Sequence, residues 1–186
     1  VDIKFTWGMH MSSEGENQNL MICPEEIVKD EWIDYNGHLN MAFYNVLFDK
    51  GVDFFYDRIG VGEEYTRSGV GSVFTLEVHL QYLQELNPRD RVRVHLQLLD
   101  FDEKRLHFFE HMYHAENGYL AATSEQMAIH VDMKTRKSAP FSADALEKIR
   151  DLHENHRSVP RPEAAGSSIG LKKALRVRSE KVKRSP

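Results

Sequence analysis

The spacing of apolar residues changes period once along this chain, and that change restricts the fold more than any other feature. From Asn40 to Ile59, residues Met41, Tyr44, Phe48, Val52, Phe55 and Ile59 recur at steps of three and four, the repeat of one helix face. Phe43, Leu47, Gly51 and Phe54 widen the non-polar arc to about half the circumference at roughly 100° per residue. Asn45, Asp49, Asp53 and Asp57 form the remaining polar stripe. Asn40 is placed to cap this helix, and Gly60 and Gly62 to stop it. After "SGVGS" the period falls to two. Phe74, Leu76, Val78, Leu80 and Tyr82 alternate with polar residues, as do Val92, Val94, Leu96 and Leu98. Two more strands follow, in "RLHFFEHMYHA" and from Tyr119 to about Val131, with "NPRD", "DFDEK" and Asn117-Gly118 as the turns. One long helix and then four consecutive strands predict an α+β fold with an antiparallel meander, not alternating βαβ units. Residues 142 to 155 read as a short terminal helix.

The 186 residues suffice for one sizeable core and one domain. We place a loose leader at 1–20, the organised domain at 21–156 and a basic irregular tail at 157–186. The tail carries nine Lys or Arg against two Glu, a net +7, which leaves −12 on the first 156 residues of a chain whose net charge is −5. An acidic body repels phosphates, so no nucleic-acid partner is expected. No apolar run reaches the roughly 18 residues of a membrane span, and the first twenty residues lack the apolar stretch of a secretory signal. A soluble, cytoplasmic protein without a membrane partner is the expectation. The lone cysteine, Cys23, suits a reducing compartment, and with Pro24 next to it and no neighbouring histidine it reads as an inert thiol.

Two other chemistries fail on spacing. His107, His111 and His114 would converge on a helix, but in a strand residues four apart lie about 13 Å from each other and His114 faces the other way. No metal site is expected there. "GVGS" precedes a strand and not a helix, so it is no phosphate loop. What remains is "EWIDYNGHLNMAFYNVLF", in which Asp34, Asn36, His38 and Asn40 crowd just ahead of the long helix. A carboxylate there can face the space before the helix, where unpaired N–H groups and the positive dipole end favour a developing oxyanion. That arrangement suits acyl transfer; the same residues also fit an ordinary loop closed by a helix cap.

The string "DYNGHLN" followed by a long apolar helix resembles the Asp-x-x-Gly-His-x-Asn signature of hotdog-fold acyl-CoA thioesterases of the 4-hydroxybenzoyl-CoA thioesterase type. The segments "VFTLEVHLQYLQEL", "VRVHLQLLDFDEKRLHFFEHM" and "AATSEQMAIHVDMKTRKSAPF" are most similar to its betainyl-CoA thioesterase branch, linked to carnitine breakdown. The likeness covers about Cys23 to His156. It implies a hotdog fold, in which a long central helix is wrapped by an antiparallel sheet, and a hydrolase acting on an acyl-CoA substrate.

Carried onto these positions, the resemblance makes Asp34 the catalytic carboxylate, as nucleophile or general base, and places the oxyanion donor at Asn40 or Met41. Gly37 lets the loop turn tightly, while His38 and Asn40 hold loop and cap together. Asp49, on the helix, is the alternative carboxylate, and Glu125 and Gln126 are candidate water-positioning groups. A betainyl group carries a trimethylammonium cation, for which aromatic faces are suited. Trp32, Tyr35, Tyr44, Phe74 and Tyr82 lie in the relevant segments, with Trp32 and Tyr35 flanking Asp34; Phe74 and Tyr82 share a strand parity that also fits plain core. Arg105, Arg136 and Lys137 are candidates for the CoA phosphates. No cofactor is required. A homodimer or homotetramer is implied, with pairing of a free sheet edge as its motive. A non-catalytic acyl-CoA-binding module of the same fold is the second expectation.

Overall fold

The computed structural model describes residues 19–170, so most of the expected leader and residues 171–186 of the expected tail lie outside it. Helix α1, Met41–Arg58, occupies the periodic stretch. Its start is fixed by Asn40, whose side-chain oxygen accepts from the Ala42 N–H at 3.0 Å. Its end is fixed by Gly60, at φ +78°, a left-handed conformation that glycine adopts without a Cβ clash. Tyr44, Leu47, Phe48, Gly51, Val52, Phe55 and Tyr56 are buried, and the Asn45, Asp49, Asp53 and Asp57 stripe is exposed. Met41, expected on the buried face, is 65% exposed at the first position of the helix, where its carbonyl meets the Tyr82 hydroxyl.

The strands are β1 (Met21–Ile22), β2 (Glu26–Ile27), β3 (Gly71–Tyr82), β4 (Arg91–Phe101), β5 (Arg105–His114), β6 (Leu120–Asp132) and β7 (Lys137–Ser138). They form one antiparallel sheet with the order β1-β4-β5-β6-β3, β2 alongside β4 and β7 alongside β6. Only β4, β5 and β6 make a meander. The expected hairpin between β3 and β4 is absent: β3 lies at the far edge beside β6, and residues 83–90 cross the end of the sheet. The crossing is held by backbone bonds, Leu83 N–H and Gln84 N–H to Ala121 O, Leu39 N–H to Leu86 O and Arg89 N–H to Val28 O. Leu86 is buried beneath it. A two-residue hairpin would leave those carbonyls without these partners, so "NPRD" turns the chain at the close of a crossing and not between neighbouring strands.

A second difference lies within β3. Its register with β6 shifts between Thr75 and Glu77. A bulge of this kind moves the following residues to the opposite faces. Phe74 pairs with Ile129, whereas Val78, Leu80 and Tyr82 pair with Gln126, Ser124 and Ala122 on the helix-facing side. The parity expected to unite Phe74 with Tyr82 is therefore broken.

The core lies between α1 and the sheet. Towards the α1 N-terminus it contains Leu39, Tyr44, Leu47, Phe48, Val92, Val94 and Met112. Towards the C-terminus it contains Val52, Phe55, Leu96, Leu98, Leu106 and Phe108, joined by Phe141, Ala145 and Ile149. Those last two belong to α3, Ala143–His156, which the Ser142 hydroxyl caps by accepting from the Ala145 N–H at 3.2 Å. A short helix α2, Glu63–Arg67, links α1 to β3. Beyond α3 the chain crosses the other face of the sheet. There Gln97 donates to the Val159 carbonyl (3.0 Å), Gln81 to Ser167 (3.2 Å), and the Gly166 N–H to the Glu125 carboxylate (2.8 Å). Among the described residues no helix is long and apolar enough to cross a membrane.

Candidate active site

The loop ahead of α1 is a miniature hairpin. Ile33 and Leu39 pair across it, the Asp34 N–H donates to the His38 carbonyl (3.0 Å), and the Gly37 N–H donates to the Asp34 carbonyl (3.0 Å). Gly37 at φ +90° makes that turn possible, since a side chain there would be strained. The Asp34 carboxylate accepts from the Asn36 N–H at 2.8 Å and stays partly open to solvent. The loop is anchored at both ends: the Asn40 N–H donates to the Trp32 carbonyl (3.0 Å), the Leu39 N–H to the Leu86 carbonyl (2.7 Å), and His38 Nε2 lies 3.5 Å from Glu85.

At the helix start the backbone donors separate into used and free. Asn40 N–H is taken by Trp32, Ala42 N–H by the Asn40 side chain and Phe43 N–H by the Asn40 carbonyl. Met41 N–H has no acceptor among the described residues. Of the two amides that the resemblance offers as oxyanion donor, Asn40 is therefore occupied, and Met41 alone presents an open N–H at the positive end of an 18-residue helix. A carboxylate held by a turn next to such an amide can act on an acyl carbon whose oxygen the amide binds.

The expected aromatic residues separate in the structure. Trp32 is only 7% exposed and stacks on Phe43, with centroids 5.3 Å apart, because its short 3-10 turn (Asp30–Trp32) points it into the core. Tyr35 takes the opposite extreme at 98% exposed, at the tip of the turn. Neither forms a wall beside Asp34 in this chain. Tyr44 is buried and donates to the Gln84 carbonyl at 3.2 Å. Phe74 sits at the other end of β3 under the Arg136 guanidinium, 5.2 Å from its ring centroid. Tyr82 is 45% exposed, meets Tyr44 edge-on at 5.2 Å, and donates its hydroxyl proton to the Met41 carbonyl at 3.2 Å.

Glu125 and Gln126 point to opposite faces. Glu125 is turned away from α1 and holds His107 at 2.7 Å as well as the Gly166 amide, so it anchors the C-terminal segment. That face has a cavity of about 470 Å³ lined by Glu77, His79, His107, Glu125 and residues 166–169, and not by Asp34, Asn40 or Met41. Gln126 lies under α1 and donates to Glu110 (2.9 Å) and Ser124 (3.0 Å). Arg105, one candidate for phosphate binding, is paired with Asp102 at 2.6 Å; Lys137 is exposed on β7. His114 closes the β5–β6 turn by accepting the Glu116 and Asn117 N–H groups, and His111 is paired with His95, where burial lowers its pKa to about 4. Cys23 is buried, which pushes its thiol up to about 12.

Sequence reasoning missed Glu110. It is fully buried, and burial raises its carboxyl well above the usual range, with Ser124 and Gln126 pulling the other way and Asp49 adding to the rise. One of its oxygens, Oε1, has no hydrogen-bond partner. A signal was available: Leu106, Phe108 and Met112 share its parity, so a carboxylate at that place in an alternating strand had to face inward.

A long helix lying across an antiparallel sheet is the hotdog arrangement. Residues 28–149 match the family model of the Thioesterase-like superfamily, and the chain belongs to that family. It is 42% identical over 147 residues to a betainyl-CoA thioesterase of Pseudomonas aeruginosa, which covers 79% of this chain and 92% of that protein. It is 38% identical over 146 residues to the L-carnitine dehydrogenase/betainyl-CoA thioesterase of Rhizobium meliloti, covering 78% of this chain but 29% of that longer protein. Among solved structures, a Staphylococcus aureus protein in complex with CoA superposes with a TM-score of 0.76 at 33% identity, over 86% of this chain and 99% of that one.

Proposed function

We propose that this chain hydrolyses a short-chain acyl-CoA thioester, and that its substrate is betainyl-CoA, released as glycine betaine and CoA. The observation that carries the reaction is the open Met41 amide at the α1 N-terminus, anchored to the same loop that presents Asp34. The thioester oxygen accepts from Met41 N–H, and the helix dipole stabilises the negative charge that develops there. Either Asp34 attacks the acyl carbon and expels the CoA thiolate, leaving a mixed anhydride that water hydrolyses to the free acid and the restored carboxylate, or Asp34 removes a proton from a water that attacks the acyl carbon directly and the thiolate departs. Gly37 and His38 hold the loop. Neither a metal nor a redox cofactor enters these steps. The choice of acyl group is supported by the Pseudomonas aeruginosa relative, and the CoA carrier also by the Staphylococcus aureus complex.

Two further features belong to this reading. Among the described residues strand β3 is the last strand on its side of the sheet, with Leu76 and Val78 exposed, so pairing with a second copy into a homodimer or larger homo-oligomer would cover that edge. Substrates carried on CoA and a role in carnitine breakdown fit a cytoplasmic enzyme, with residues 21–156 as its catalytic domain. The test is release of free thiol from a panel of acyl-CoAs by the intact chain and by Asp34→Asn. We expect turnover to fall by at least roughly 100-fold with CoA binding retained. Turnover of no thioester by the intact chain would leave a binding module instead.

A further inference from the structure

We propose that Tyr82, backed by Tyr44, is the residue that recognises the quaternary ammonium of the acyl group and so sets acyl specificity; this rests on the betainyl-CoA reading above. The argument starts from the substrate. In a betainyl thioester a single methylene separates the acyl carbon from the nitrogen, which places the two about 2.5 Å apart. Whatever holds the thioester oxygen therefore also fixes the cation, and an aromatic face can contribute only from within about 6 Å of it.

With Met41 N–H as the oxyanion donor, the search reduces to rings beside the first turn of α1. Trp32 is buried and Phe43 already covers its face, Tyr35 stands in solvent, and Phe74 is at the opposite end of β3 beneath Arg136. Tyr82 is left. Its hydroxyl is bonded to the carbonyl of Met41, the same residue whose N–H is open. Nearly half of its surface is exposed, and the edge-on contact with Tyr44 holds the ring in place. The bulge at Thr75–Glu77 is what brings Tyr82 to the helix-facing side. Tyr44 is itself fixed by its bond to Gln84 O, so the pair is a preformed platform.

The test compares betainyl-CoA with its neutral isostere, in which tert-butyl replaces trimethylammonium, for the wild type, Tyr82→Phe and Tyr82→Leu. The readout is the ratio of kcat/KM for the two substrates, in which a general loss from disturbing the helix start cancels. We expect the wild type and Tyr82→Phe to favour the cation by a similar factor, and Tyr82→Leu to lose roughly 2- to 30-fold of that preference. Tyr82→Leu with a wild-type ratio would overturn this assignment and leave betainyl-CoA as the substrate. A wild-type ratio near one would remove the cationic substrate as well, while thioester hydrolysis would stand.

Discussion

Glu110→Gln isolates a buried proton. In the folded chain the Glu110 carboxyl is withdrawn from water between α1 and the sheet, and burial raises its pKa well above the ordinary carboxylate range. A raised pKa means that the folded state keeps a proton which the unfolded state has released. Stability is then fully present below the unfolded carboxylate pKa, and it declines as pH rises towards the folded one. In that window the decline is about 1.4 kcal/mol per pH unit for one proton. For a domain of this size 1 kcal/mol shifts Tm by about 2 to 4 °C, so the slope is roughly 3 to 6 °C per pH unit. Glutamine keeps the shape and an acceptor for Gln126 but does not titrate. We expect Tm of the wild type to fall relative to Glu110→Gln as pH rises above the ordinary carboxylate range, measured by thermal denaturation in matched buffers. Every other titrating group is common to both proteins, so the difference belongs to this position. Parallel Tm–pH curves would refute the neutral buried acid.

Two more expectations concern α1. Gly51 packs against this same acid: a Cβ built there would lie 3.0 Å from Glu110 Oε1 and 3.0 Å from Val94 Cγ1. Gly51→Ala gains about 1 kcal/mol of helix propensity but overpacks at a cost of about 1 to 3 kcal/mol, so urea unfolding should show a net loss; a gain would show that the sheet yields. Asn40→Ala removes the acceptor of the Ala42 N–H and should cost about 1 kcal/mol by the same assay. Unchanged stability would mean that the cap contributes nothing to the fold.

What could be read from the sequence was local, and what could not was set by contacts between distant segments. The extent of α1 follows from a 3.6 period and from the capping chemistry of Asn40 and Gly60, all contained within the one segment 40–60. The Asp34 turn follows in the same way from Asn36 and Gly37. Trp32 does not, because whether an aromatic residue beside a carboxylate faces a cleft or the core depends on Phe43 and on the direction of the turn at Asp30. Strand pairing is equally non-local: the alternation in β3 is visible, but nothing in it selects β6 over β4 as a neighbour.

That pairing has a consequence at the candidate site. Because β3 takes the far edge, residues 83–90 must run back along the end of the sheet, past the start of α1. There the carbonyl of Leu86 receives the Leu39 N–H, that of Gln84 receives the Tyr44 hydroxyl, and Glu85 faces His38. The same placement aligns the end of β3 with the first turn of α1, so that Tyr82 reaches Met41. A meander of all four strands would have joined Tyr82 to β4 by a tight turn and left the Asp34 loop without these supports. The crossing is therefore the element that couples the carboxylate loop, the open amide and the exposed tyrosine, three features that lie up to 48 residues apart in the chain.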